Sequence, residues 1–151
     1  MTLDEHFGVG RTITLGSHRF EAGEIKAFAR KFDPQPFHMD EESARHSVLG
    51  GLCASGWHTA SMWMRYNVMA RSDAGEGSAE PEFGPSPGFR NLKWLKPVYA
   101  GETITFKRTV LGHRPLASRP GWRLMSVRAE AFDSTGDKVI EFESAVLVKA
   151  R

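Results

Sequence analysis

Residues 138 to 149, Lys-Val-Ile-Glu-Phe-Glu-Ser-Ala-Val-Leu-Val-Lys, alternate with a period of two. Ile140, Phe142, Ser144, Val146 and Val148 share one face, and Glu141, Glu143 and Lys149 share the other. An extended strand places every second side chain on the same side, so this run specifies a half-buried strand. Stretches 89 to 96, 103 to 111 and 122 to 132 also read as strands. Asp133-Ser134-Thr135-Gly136-Asp137 supplies a hairpin turn, and residues 98 to 102 supply another after Pro97. The Gly- and Pro-containing segment 112 to 121 supplies a third. Connections of this kind join antiparallel neighbours.

The N-terminal half has a different period. Residues 12 to 20 read as a first strand. Ile25, Phe28, Ala29 and Phe32 then recur at helical spacing, until Pro34 and Pro36 stop the helix. Residues 33 to 40 form a proline-stiffened loop, and Asp40 caps a short helix over 41 to 46. After Gly50-Gly51, residues 54 to 69 form the most apolar helix, with Trp57, Ala60, Met64 and Val68 in a stripe widened by Trp63 and Met69. Residues 71 to 88 are rich in Gly, Pro, Ser and acids and read as a long loop, either a border of a substrate entrance or a surface excursion. Helices segregated from an antiparallel sheet give an α+β class. The sheet needs one face covered, and the long apolar helix is the cover. A sheet curled around one helix is the hotdog architecture, expected here as a single domain over residues 1 to 151.

Composition narrows the function classes. Twenty Lys and Arg against 18 Asp and Glu give a net charge of +2, which does not argue for nucleic acid or a membrane surface. No stretch approaches the roughly 20 apolar residues of a membrane span, and the acidic start Met1-Thr2-Leu3-Asp4-Glu5-His6 lacks the apolar run of a secretory signal. A lone Cys53 excludes an internal disulfide and points to a reducing, cytoplasmic compartment. Its apolar neighbours make it a buried structural thiol rather than a nucleophile. Arg90, Lys93 and Lys96 form a local basic group, read as a solvated strand edge or as a contact for ligand phosphates. His46, Cys53 and His58 match no zinc spacing, and no phosphate-binding or dinucleotide motif is present, so no metal or cofactor is expected.

The chemistry points to Asp33-Pro34-Gln35-Pro36-Phe37-His38. A carboxylate and an imidazole five residues apart, in a loop stiffened by two prolines, suit proton transfer near neutral pH. From the spacing alone, a helix-ending turn with a surface Asp and a partly buried His is the default reading.

Asp33, Pro36, His38, Asp40 and Ala44 resemble the Asp-x-Asn-Pro-x-His-x-Asp-x-x-x-Ala signature of the MaoC-like dehydratases, which include the (R)-specific enoyl-CoA hydratases of hotdog fold. Gly51-Leu52-Cys53-Ala54-Ser55-Gly56-Trp57 is similar to the start of that family's central helix. Asn91-Leu92-Lys93-Trp94-Leu95-Lys96-Pro97-Val98-Tyr99-Ala100-Gly101-Glu102 resembles its strand-and-turn segment. The resemblance implies that Asp33 and His38 are a catalytic dyad that binds the water added to a 2-enoyl thioester. Either residue suits the role of base. It also implies that the Gly56 N–H meets the negative charge on the thioester oxygen, as the free amides and dipole at a helix start allow. Gln35 stands where the family has Asn, and Ser55-Gly56 stands for its usual His-Gly. Ser55 is therefore a candidate substrate-binding residue with a hydroxyl in place of an imidazole.

Three functions fit: a hydratase or dehydratase of an acyl thioester, a hotdog thioesterase, and a non-catalytic acyl-binding domain. Thioesterases of this fold usually carry an acid on the central helix, and residues 54 to 70 contain no Asp or Glu. A curled sheet has open edges that natural proteins cover or pair. The resemblance implies pairing of two copies edge to edge, so a homodimer or a multiple of it is expected.

Overall fold

A computed structural model describes residues 1–72 and 81–150. Its helices are α1 (Leu3–Phe7), α2 (Ala22–Phe32), α3 (Pro36–Met39), α4 (Glu41–Arg45) and α5 (Gly56–Ser72). Its strands are β1 (Thr12–Arg19), β2 (Glu82–Phe83), β3 (Gly88–Trp94), β4 (Thr103–Pro115), β5 (Arg123–Phe132) and β6 (Lys138–Lys149). They form one antiparallel sheet in the order β1-β4-β5-β6, and β6 also pairs with both β2 and β3.

The alternation of β6 becomes the inner face of this sheet: Ile140, Phe142, Ser144, Val146 and Val148 are all buried. Their β5 partners Ala131, Ala129, Val127 and Met125 are buried too, so the register aligns two inward-facing rows. Helix α5 lies across these rows. The fully buried Trp63 meets Phe142 edge-on at 5.2 Å and donates its indole N–H to the Lys107 carbonyl of β4 at 2.9 Å. Tyr66 stacks on Phe106 at 5.3 Å. The α+β hotdog arrangement is thus present. No described helix is long and apolar enough to cross a membrane.

The start of α5 is fixed by backbone pairing. Ala54 N–H donates to the Val98 carbonyl at 2.8 Å, and Ala100 N–H donates to the Leu52 carbonyl at 3.0 Å. The 98-to-102 turn therefore holds the segment that carries Ser55 and Gly56.

Several local expectations change. Residues 3 to 7 form a helix, closed by a reciprocal bond pair between Thr2 and Glu5. Five residues carry too little periodicity to reveal it. The 33-to-40 loop contains the α3 turn, which starts on Pro36 because proline's fixed φ suits a first helical position. Strand β4 runs on to Pro115, beyond the expected end at 111, through a bulge between Val110 and Gly112. Within the expected loop 71 to 88, Glu82 and Phe83 pair with Lys149 and Val148, while residues 73–80 lie outside the described residues.

Only part of the apolar stripe expected along α5 faces the core: Trp63 is fully buried and Ala60 packs against the core cluster. Trp57, Met64, Val68 and Met69 are exposed, and Ser55, His58, Thr59, Trp63 and Asn67 are buried. The core takes hydroxyl and amide groups that find partners, such as Asn67 accepting from Arg108 at 2.6 Å. Phe32, expected on the buried face of α2, is also exposed.

Candidate active site

Three short elements bring the site together. Asp33 caps the C-terminus of α2, where its amide donates to the Ala29 carbonyl at 2.8 Å. Pro34 pushes the chain out of the helix at that point. The next turn, α3, carries His38, and the segment before α5 carries Ser55.

The His38 side chain is buried. Its Nδ1 lies 2.6 Å from the Cys53 carbonyl oxygen. A carbonyl only accepts, so Nδ1 carries the hydrogen and a neutral ring presents its lone pair at Nε2. That nitrogen faces Asp33 Oδ2 at 3.5 Å. The Ser55 hydroxyl donates to the same Oδ2 at 2.7 Å, and the Gln35 amide donates to Oδ1 at 2.6 Å. Burial pushes the Asp33 carboxyl up, but the Gln35 and Ser55 hydrogen bonds and the nearby His38 outweigh it and hold it below 3.8.

Asp33, His38 and Ser55, singled out from the sequence, therefore converge. Gly56 opens α5 next to Ser55, and its amide is among the first-turn donors left without an intrahelical acceptor. A cleft of about 250 Å³ lies between the start of α5 and the segment after β3. His38 and Gly56 line it, whereas Asp33 and Ser55 are not among its lining residues. Trp94 forms another wall, packed so closely on Gly56 that a Cβ there would sit 2.3 Å from the indole Nε1. Glycine is required at this position for that approach.

Other candidates take structural roles. Burial raises the Cys53 thiol to about 11, so it is not a thiolate nucleophile at neutral pH. His46 is exposed and bonded to Glu42. His58 is buried, stacked on Phe28 at 4.6 Å, with Nε2 at 3.3 Å from Glu24. Glu24 also meets His18 at 2.7 Å, and His18 meets the Tyr66 hydroxyl at 3.0 Å, which ties β1, α2 and α5 together. Among the described residues, no three His, Cys, Asp or Glu side chains converge as a metal site. Arg90 pairs with Glu143, Lys93 with Glu141, and Lys96 with Asp133 and Asp137, the strand-edge alternative for this basic group.

Two participants were not singled out in the sequence: Gln35 as a donor to Asp33, and Trp94 over Gly56. Gln35 stood out only as a departure from the family pattern. Trp94 carried no local signal, because its neighbour lies on another element.

The sequence pattern of the MaoC like domain matches residues 4–121. A solved MaoC-like dehydratase from Rhodospirillum rubrum is 38% identical, with a TM-score of 0.81 over 97% of this chain and 96% of that one. The (R)-hydratase from A. caviae involved in PHA biosynthesis shares the fold, with a TM-score of 0.68 at 23% identity over 91% of this chain and 94% of that one. The uncharacterized protein YdeM of Bacillus subtilis (strain 168) is 28% identical over 149 residues, 99% of each chain.

Proposed function

The chain belongs to the MaoC-like domain family, and on that premise we propose that it hydrates a 2-enoyl thioester, or dehydrates the matching 3-hydroxyacyl thioester, with coenzyme A as the carrier. The reading is carried by one observation: Asp33 Oδ2 and His38 Nε2, two acceptors in the neutral-ring state, face each other at 3.5 Å. A water that donates one hydrogen to each relieves their repulsion and turns its lone pairs outward.

The thioester draws electrons from the double bond, so the water oxygen attacks C3. The dyad takes one water proton as the C–O bond forms. The displaced π electrons move toward C2 and the thioester oxygen, where the Gly56 amide stabilises the developing charge. C2 then takes a proton back from the dyad, and the sum is one water added. Asp33 and His38 exchange protons as a coupled unit in this scheme. Buried Cys53 and the lack of any disulfide fit a reducing, cytoplasmic setting.

A homodimer completes the reading. Trp57 and Met64 of α5, with Phe89 and Leu92 of β3, surround one apolar groove beside a sheet edge. Exposed apolar area of this kind marks an interaction face. A second copy covers it here, which accounts for an α5 that is apolar on its outer side.

The test is to mix the purified protein with a panel of 2-enoyl-CoAs, follow loss of the conjugated double bond, and read free thiol in parallel. Loss of the double bond without thiol supports the hydratase. Thiol release points to a thioesterase, and silence across the panel points to a binding domain.

A further inference from the structure

We propose that a cavity between the C-terminal half of α5 and the inner face of the sheet is a carboxylate site, built by Arg71 and Arg108, and that it takes the far end of a long ω-carboxyacyl substrate. The source of the carboxylate rests on the hydratase reading above, whereas the site itself does not.

Polar groups from three elements break the apolar inner surface at one place. On β4, Arg108 stands in the inner row between the buried Phe106 and Val110. On β6, Ser144 stands between the buried Phe142 and Val146. On α5, Asn67 and Arg71 follow the fully buried Trp63 at successive turns of one face. All four border a single cavity of about 170 Å³, and the described residues that line it include no Asp or Glu.

The charge there is one-sided. The Arg71 guanidinium lies over the Phe83 ring at 4.0 Å, and its Nε is buried without a hydrogen-bond partner. Burial and the like charge of Arg108 push the Arg71 guanidinium down to about 10. It is still a cation at neutral pH, and an anion between the two groups relieves their repulsion. Planar guanidiniums suit the two oxygens of a carboxylate.

The remaining walls decide the ligand class. Trp63, Met64, Met125, Val127 and Val146 are apolar, which suits methylenes rather than a hydrated phosphate. Met64 also borders the apolar groove that begins at Trp57, next to Gly56. Asn67 lies about 16 Å from Gly56 along α5, at about 1.5 Å per residue. An acyl chain laid along the helix from the thioester therefore ends at the arginines. In the dimer reading, the second copy roofs this path. A terminal carboxylate compensates the guanidiniums, whereas a methyl end dehydrates them without return.

Calorimetric titration with free dodecanedioate tests the site without catalysis. Wild type should bind it about tenfold or more tightly than dodecanoate, the usual contribution of a hydrogen bond to a charged group. Arg71→Gln should remove that difference. In kinetics, wild type should favour dodec-2-enedioyl-CoA over dodec-2-enoyl-CoA in KM by a similar factor, and Arg71→Gln should equalise the two. A ratio taken within one variant cancels any general loss of activity, and Arg71→Lys should restore part of it. Equal affinity of wild type for dodecanedioate and dodecanoate would overturn the site, even with enoyl-CoAs turned over. Succinate bound as tightly as dodecanedioate would mark a site for free anions and overturn the acyl assignment. Dodecanedioate binding that appears only with Asp73→Asn, Glu76→Gln and Glu80→Gln would show that the chain supplies its own counter-charge, and would also overturn the proposal. Dodecanedioate binding with no turnover of any enoyl-CoA would remove the hydratase reading and the acyl source, and leave the carboxylate site standing.

Discussion

The Ser55 hydroxyl donates to Asp33 Oδ2 at 2.7 Å, and the same oxygen faces His38 Nε2 at 3.5 Å. One carboxylate oxygen thus has a permanent donor on one side and the imidazole on the other. Ser55 fixes where Asp33 points, and with Gln35 it lowers the basicity of the carboxylate.

Replacing Ser55 by Ala removes one hydrogen bond to that charge. The Asp33 pKa should rise toward its ordinary value of 3.8, because burial then faces less opposition. Kinetics across acidic pH should show the Asp33 limb of kcat/KM displaced upward relative to wild type. Denaturant titration should show a stability loss of about 1.5–3 kcal/mol, the usual contribution of a bond to a charged group.

His58 gives a pH dependence of stability with a definite sign. Burial pushes its imidazole below 6.5, outweighing the pull of Glu24, and the neighbouring His18 pushes the same way. Tyr66 completes the cluster through His18. As pH falls through 6.5 the unfolded chain takes up a proton that the folded chain refuses. The stabilisation is therefore present above that pH and is lost as pH falls toward the lowered folded value. Urea midpoints should drop between about pH 7 and about pH 5, and His58→Gln should flatten that slope.

Legibility in the sequence follows the range of each interaction. The alternation of β6 named its five inward residues, because a strand with one buried face writes burial directly into the chain. The Asp133-to-Asp137 turn was equally local: Asp133 accepts from the Thr135 and Asp137 amides, as turn chemistry requires. Asp33, His38, Ser55 and Gly56 were readable through a family resemblance, and the first three meet in space. What α5 faces was not readable. Its longest apolar row runs through Trp57, Met64 and Val68, so periodicity points to the side that the chain leaves exposed, while the buried side mixes Trp63 with His58, Thr59 and Asn67. Partners across elements, such as Trp94 on Gly56 or Glu24 between two histidines, left no mark on local spacing.

Gly56→Ala tests the close approach of Trp94. The new Cβ would lie 2.3 Å from the indole, so the ring must move. Overpacking of this kind costs about 1–3 kcal/mol, and the displaced indole should change its fluorescence emission. Turnover should fall with it, since the start of α5 that carries the proposed Gly56 donor shifts.

The apolar groove predicts the assembly. Phe89 is 57% exposed in the single chain, although it stands beside Phe142. Phe89→Asp should convert a wild-type dimer into monomers in sedimentation velocity. A monomeric wild type at micromolar concentration would contradict the dimer.

The central claim is that Asp33 and His38 together hold and deprotonate the added water. The most direct measurement is kcat for Asp33→Asn and His38→Gln on the best enoyl-CoA of the panel, with circular dichroism to verify folding. Each variant should fold and lose about 10²-fold or more, the usual contribution of a positioned acid–base group. Wild-type-like rates in both variants would show that the chemistry lies elsewhere.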